Sequence, residues 1–208
     1  MLTVVTPAAL RRLTTVEHVR NDLGLTEGDA DDTKVERLID QATAVAERFC
    51  RRAFAIETVR ETIRGCAIDH VMRLERAPAF AVRSVALNGG TVDALEYELD
   101  GVSLYRLSAS GSRFAWRGSM LVVEYDAGFV LPGDEPVAGA QDLPADVELA
   151  AIRLVGAIFS ASSRDQLIKS EDVDGVSSVS YWVPGTKSSL ASPEAEALLK
   201  PYRTVRIR

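Results

Sequence analysis

Apolar residues recur along this chain with two different periods, and the change of period divides it. In "TTVEHVRNDLGL", Val16, Val19 and Leu23 form a short stripe at helical spacing. Thr14 and Glu17 stand at capping-box spacing, where a hydroxyl and a carboxylate satisfy orphaned backbone N–H groups, and Gly24 suits a left-handed C-cap. A longer stripe of Val35, Leu38, Ile39, Ala42, Val45, Ala46 and Phe49 predicts one helix over 33–52. Thr33 with Glu36 opens it, and Arg48, Arg51 and Arg52 suit the negative pole of its dipole.

From Phe54 to Phe129 the runs become short and strand-like, with Gly, Asn, Asp and Pro between them. Asn88-Gly89 and Asp100-Gly101 supply the positive φ angles that tight hairpins need, so this stretch predicts an antiparallel β unit. After the Pro- and Gly-rich loop "VLPGDEPVAGAQD", helical spacing returns in "LPADVELAAIRLVGAIFSASSR". There Val147, Ala150, Ala151, Leu154, Val155, Ile158 and Phe159 line one face behind Pro144. A polar segment follows; Ser192-Pro193-Glu194 then opens a short helix that Pro201 ends.

The expected fold is α+β: a small bundle of amphipathic helices with an inserted antiparallel β unit and a C-terminal extension. Residues 14–54 and 143–200 would form the helical core, in which helices 33–52 and 143–163 pack together. Residues 55–130 would be the insertion, and 201–208 a tail. That tail, in "LLKPYRTVRIR", is basic and reads as a lone strand with no later strand to pair with. It either adds to a partner's sheet, folds back on its own β unit, or frays.

Charge narrows the partners. The chain has 208 residues, with 24 Lys plus Arg against 30 Asp plus Glu, a net −6. That field repels phosphate backbones, so general nucleic-acid binding is not expected. No apolar run approaches the ~18 residues of a membrane span. In "MLTVVTPAALRRL" the basic pair follows the apolar stretch, unlike a signal peptide. Cys50 and Cys66 form no CxxC pair and read as reduced thiols of an intracellular protein.

Candidate chemistry is sparse. His18 and His70 have no Cys, His or carboxylate at metal-ligand spacing, and no nucleophile elbow or phosphate loop is present. In "EGDADD", Asp29, Asp31 and Asp32 offer oxygens to a cation, but the alternation, central Gly and distal Glu of a calcium loop are missing as a set. It reads as a solvated loop before a helix. Arg11-Arg12 and Arg51-Arg52 are short pairs, and Trp116, Tyr125, Phe129 and Trp182 are too dispersed for a base-stacking platform. Neither an enzyme, a metal nor a cofactor is expected.

Taken in order, these segments resemble the tailed-phage head–tail connector (adaptor) family, in the long form with a β insertion that also occurs in gene-transfer particles. The resemblance runs over roughly residues 14–208. It rests on the paired opening helices with Ala46-Glu47-Arg48-Phe49 and Arg51-Arg52-Ala53-Phe54, and on Val123-Glu124-Tyr125-Asp126-Ala127-Gly128, a "V-x-Y-x-A-G" exit from the β region. Leu143-Pro144-Ala145-Asp146 with Ala151-Ile152-Arg153-Leu154-Val155, and the closing "SPEAEALLKPYR", complete it. The stretches "LERAPAFAV" and "FSASSRDQ" depart from the family pattern.

The resemblance implies a structural protein assembled in the bacterial cytoplasm into the neck of a virion or phage-like particle. Copies would form a ring, a dodecamer by match to the portal, extending the channel through which DNA passes. The interface between copies would then be heterologous. The partners implied are the portal, further copies of itself, and a stopper or tail protein, with no membrane. The tail residues Tyr202, Arg203, Val205, Arg206, Ile207 and Arg208 would bind the portal, Val205 and Ile207 facing one way and Arg206 and Arg208 the other. On that basis residues 201–208 would matter little to the stability of the isolated fold. The rival readings are a stopper or tail-completion protein and a cytoplasmic ligand-binding module. A metal-dependent hydrolase built on Asp29–Asp32 is the weakest alternative.

Overall fold

The structure, a computed structural model, describes residues 1–65, 70–162, 170–173, 177–180 and 190–204. The chain forms two units, one from residues 1–11 and 54–142 and the other from residues 12–53 and 143–208. The fold is α+β, as the two hydrophobic periods predict.

In the first unit the strands are β1 (Leu2–Thr6), β2 (Glu57–Arg64), β3 (Met72–Arg73), β4 (Ala79–Leu87), β5 (Gly90–Thr91) and β6 (Tyr97–Asp100). They continue with β7 (Ser103–Leu107), β8 (Arg113–Phe114), β9 (Met120–Ala127), β10 (Phe129–Val130) and β11 (Gln141–Asp142). One antiparallel sheet runs β1-β2-β9-β4-β5, and a second runs β3-β7-β6 with β8 on β7. Central strand β9 alternates, burying Leu121, Val123 and Tyr125 while Val122 and Glu124 stay partly open, the period-2 signature of a sheet with one packed face. Its register sets Val59 opposite Tyr125 and Ile63 opposite Leu121. The inward faces meet around Met72, Leu74, Val85, Leu104 and Trp116. The Trp116 indole N–H donates to the Leu104 carbonyl at 3.0 Å, so its one polar atom is satisfied inside the core.

Both hairpin signals act as expected. Asn88 (φ 53°) and Gly89 (φ 86°) turn β4 into β5, and Gly101 (φ 59°) turns β6 into β7. Strand β1, over residues 2–6, is not among the elements that the sequence predicts. It pairs antiparallel with β2.

The second unit contains α1 (Val16–Leu23), α2 (Asp32–Cys50), α3 (Ala145–Ser162) and α4 (Pro193–Leu199), with a hairpin of β12 (Ser170–Val173) and β13 (Ser177–Ser180). Helix α2 buries Val35, Leu38, Ile39, Ala42, Ala46 and Cys50, and α3 buries Val147, Ala150, Ala151, Ile152, Leu154 and Val155. These stripes pack on each other and on α1 and α4. Trp182 and Cys66 lie outside the described residues.

Both N-capping assignments shift by one or two positions. Thr15, not Thr14, caps α1 by accepting from the His18 N–H at 3.2 Å. Asp31, not Thr33, caps α2 by accepting from the Lys34 N–H at 2.7 Å. Gly24 takes the left-handed C-cap of α1 as expected, whereas at the end of α2 that conformation falls on Arg51. Glu36 pairs instead with Arg12, which also binds Asp40 at 2.8 Å. Asp31→Ala should therefore cost about 1 kcal/mol in urea unfolding, the usual loss for a carboxylate cap, and Thr33→Ala much less. Equal losses would return the cap to Thr33.

Each aspartate of the acidic loop has a partner within the protein. Asp29 accepts from the Thr26 N–H at 2.8 Å and its hydroxyl at 2.6 Å, which lowers the Asp29 pKa. Asp31 caps α2, and Asp32 binds Arg20 at 2.7 Å. Among the described residues no group of His, Cys, Asp or Glu is arranged to hold a metal ion.

Candidate functional site

The segment expected to bind a partner starts on the helical unit. Ser192 caps α4 by accepting from the Ala195 N–H, and Pro193 occupies the first turn, where its missing donor costs nothing. Helix α4 ends at Leu199, which is fully buried, and a 3-10 turn, Lys200–Tyr202, carries the chain past Pro201.

Three successive residues then touch the unit's own helices. The half-buried Tyr202 hydroxyl donates to the Asp146 carboxylate, 2.8 Å from one oxygen and 3.0 Å from the other. Burial, and then this bond, raise the Tyr202 pKa. The Arg203 guanidinium lies 5.3 Å from the centre of the Phe49 ring, within cation–π range. The Thr204 N–H donates to the Cys50 carbonyl at 2.9 Å. That carbonyl belongs to the last turn of α2, where helix geometry leaves acceptors without an internal partner.

Two of the six expected docking residues, Tyr202 and Arg203, are thus brought together with Phe49, Cys50 and Asp146 of the same unit. Val205, Arg206, Ile207 and Arg208 lie outside the described residues. The partners Asp146 and Phe49 carry no sequence signal for this role, since they stand 56 and 154 positions away from the residues they meet.

Cys50 itself is sealed in. Its Sγ lies 3.6 Å from the Leu199 carbonyl, and burial pushes the thiol pKa up to about 11, so it is a packing residue rather than a nucleophile.

A second polar cluster joins α1 to α3. Glu148 Oε1 accepts from the buried Thr14 hydroxyl at 3.0 Å and meets His18 Nδ1 at 2.6 Å. Asn21, Asp22, Ala145, Leu149 and Ile152 complete the wall of an open depression of about 250 Å³ beside it. The bond to Glu148 raises the His18 pKa above the ordinary 6.5, aided by Glu17 and Asp22. Its contribution is therefore full below that ordinary value and is lost as pH rises through the raised folded one. The imidazole is half exposed, so the effect stays under about 1 kcal/mol. Wild type should lose a small increment of melting temperature between pH 6 and 8 that His18→Gln does not lose. Parallel pH profiles for the two proteins would exclude the pair as the cause.

In the β unit, the "V-x-Y-x-A-G" motif acquires a physical reason. The Tyr125 hydroxyl donates to Glu61 at 2.9 Å and accepts from the Arg76 N–H at 3.1 Å; burial, above all, raises its pKa. Glu57, whose side chain is inaccessible to solvent, lies between Arg11 and Arg76 and forms an ion pair with each. These groups buttress the sheet.

Solved structures share this fold. A chain from the neck of an empty GTA particle, computed with C6 symmetry, superposes at TM-score 0.58 with 19% identity, covering 100% of this chain and 97% of that one. A chain from the neck of a native GTA particle, computed with C12 symmetry, gives 0.57 at the same identity and coverage. A chain from the virion of the native gene transfer agent particle gives 0.56 at that identity and coverage. No curated protein matches the sequence. The head completion protein family model matches residues 12–205, taking in the four helices, strands β2 to β13 and the turn that leads into the tail. A match of that extent makes this chain a member of the head completion protein family.

Proposed function

We propose that this chain is a structural head–tail connector (adaptor) in the neck of a tailed phage or phage-like particle. Copies form a ring beneath the portal that extends the DNA channel, and the tail from Tyr202 to Arg208 docks on the portal. In this reading residues 14–54 and 143–200 supply the ring's helical body, 55–130 an inserted β unit, and 201–208 the docking segment. A stopper or tail protein binds the far side, and DNA only passes through.

The observation that carries the proposal is the family match over residues 12–205. The fold likeness to chains in GTA necks, one computed with C12 symmetry, supports a ring. A ring requires two different faces to meet around a closed circle. The alternating residues Val205, Arg206, Ile207 and Arg208 suit a strand added to another chain's sheet, where backbone hydrogen bonds supply affinity.

The test is co-sedimentation with purified portal rings of the same particle. A chain ending at Thr204 keeps every described contact of the helical unit and should fold and melt like the full chain. Its portal binding should fall more than about tenfold, as expected when several backbone hydrogen bonds are lost together. Val205→Pro should act in the same direction by deleting a mid-strand donor. Binding by the full chain should weaken with added salt if the arginines face acidic portal groups. Full binding by the shortened chain would overturn the docking role. Binding only to portal that already carries another neck protein would move this chain to the stopper position.

A further inference from the structure

We infer that Tyr202 and Asp146 form a latch that fixes the point and direction from which the tail leaves the protein, so that docking depends on the latch as well as on the tail's own side chains. The inference rests on the docking role proposed above and assigns Tyr202 and Asp146 a positioning function within it.

The geometry is over-determined for a segment that has already left its helix. Helix α4 is complete at Leu199, yet Tyr202, Arg203 and Thr204 each make a separate contact, to α3, to the Phe49 ring and to the end of α2. Three attachments on consecutive residues fix the backbone course at Thr204 as well as its position. The acceptor is itself held. Asp146 lies in the first turn of an 18-residue helix, where the dipole favours a carboxylate. Its Oδ1 also accepts from the Val147 N–H at 3.0 Å, so the group that receives the Tyr202 hydroxyl is oriented before the tyrosine arrives. Thr204 in turn uses an α2 carbonyl that would otherwise need water.

The consequence concerns binding. A short strand that must find a partner's sheet loses conformational freedom when it docks, and fixing its root removes part of that loss beforehand. A fixed root also sets which residue of the strand meets which partner residue. A displaced root lowers the effective concentration of the strand at its site even when every side chain is intact.

Four variants assayed with portal rings test this. Tyr202→Phe keeps the ring and removes only the hydroxyl. A Gly-Ser-Gly spacer between Thr204 and Val205 keeps both latch and tail sequence but moves one relative to the other. Asp146→Asn keeps a carbonyl acceptor for the tyrosine, whereas Asp146→Ala does not. We expect Tyr202→Phe and Asp146→Ala each to weaken binding about tenfold, the scale of one hydrogen bond to a charged group. The spacer should weaken it in the same direction by lowering the effective concentration of the strand at its site. Asp146→Asn should restore most of what Asp146→Ala loses. If Tyr202→Phe and the spacer bind like wild type while the chain ending at Thr204 does not bind, the latch is wrong and the docking role stands. If the chain ending at Thr204 binds fully, the docking role fails and the latch with it. Should Tyr202→Phe fail to fold, the spacer variant decides alone.

Discussion

Gly128→Ala should unfold the β unit at markedly lower urea concentration than wild type, with a loss of roughly 2–6 kcal/mol from backbone strain and overpacking combined. Gly128 has φ 131°, which L side chains rarely adopt. A Cβ there would lie 2.3 Å from the Ala55 carbonyl oxygen, 2.6 Å from its carbon and 2.8 Å from the Ile56 Cα. All three are backbone atoms, so no side chain can rotate away to make room. The crossing is also tied on both sides, since the Gly128 N–H donates to the Pro78 carbonyl at 2.9 Å and the Phe129 N–H to the Phe54 carbonyl at 2.8 Å. Moving the strand to admit a methyl group would strain or break these bonds.

Gly101→Ala is the matched control. It too has positive φ, at 59°, but nothing lies within 4 Å of its would-be Cβ. It should cost only about 1–2 kcal/mol, the left-handed penalty for a residue with a side chain. The chain has two tryptophans, so a Trp182→Phe background lets the buried Trp116 report on the β unit alone. Equal losses for the two glycines would show that close backbone approach is not what Gly128 provides.

Gly128 also marks how far the sequence could be read. As letters, Val123 to Gly128 carried a family resemblance; the reasons for Tyr125 and Gly128 lie in Glu61 and Ala55, which no local pattern connects to them. The helices and the hairpins were legible because their signals are local: a 3.6-residue stripe, or a pair of turn residues. Their caps were less so. Thr14 and Thr15 are equally good caps in isolation, and the choice is made by Glu148, which draws the Thr14 hydroxyl into the interior. Likewise Asp31, Asp32 and Thr33 compete, and Arg20 engages Asp32.

Strand β1 was illegible for a different reason. Four of its five residues are exposed, so no hydrophobic alternation marks it, and its place comes from backbone pairing with β2. The root of the tail was hidden in the same sense. Pro201 and the basic residues read as a break followed by a free strand, while the contacts to Asp146, Phe49 and Cys50 depend on how distant helices pack. Residues 202–204 therefore also make contacts within the helical unit that no local pattern announces.

The same logic, that a buried polar group is explained by partners far away in sequence, carries the second large effect. Glu57→Ala should destabilise the β unit by roughly 3–5 kcal/mol, the cost of breaking a buried ion pair from one side. The Glu57 side chain is wholly inaccessible, and of its two arginine partners Arg76 is only 15% exposed, against 43% for Arg11. Removing the carboxylate leaves the Arg76 guanidinium, whose Nε already lacks a partner among the described residues, without the anion that compensates its burial. Arg76→Ala removes the better-buried partner and leaves Glu57 with Arg11 alone. It should cost a comparable amount, because an inaccessible carboxylate then depends on a half-exposed cation. Arg11→Ala should cost less, since water can replace part of what it supplies. The double variant Glu57→Leu with Arg76→Met should recover much of the loss, because apolar groups of similar size remove both desolvation penalties at once. Urea unfolding followed through Trp116 separates these cases. If Glu57→Ala stayed within about 1 kcal/mol of wild type, the span of an exposed pair, the buried cluster would contribute no more than a surface salt bridge, and another element would have to hold β2 in register against β9.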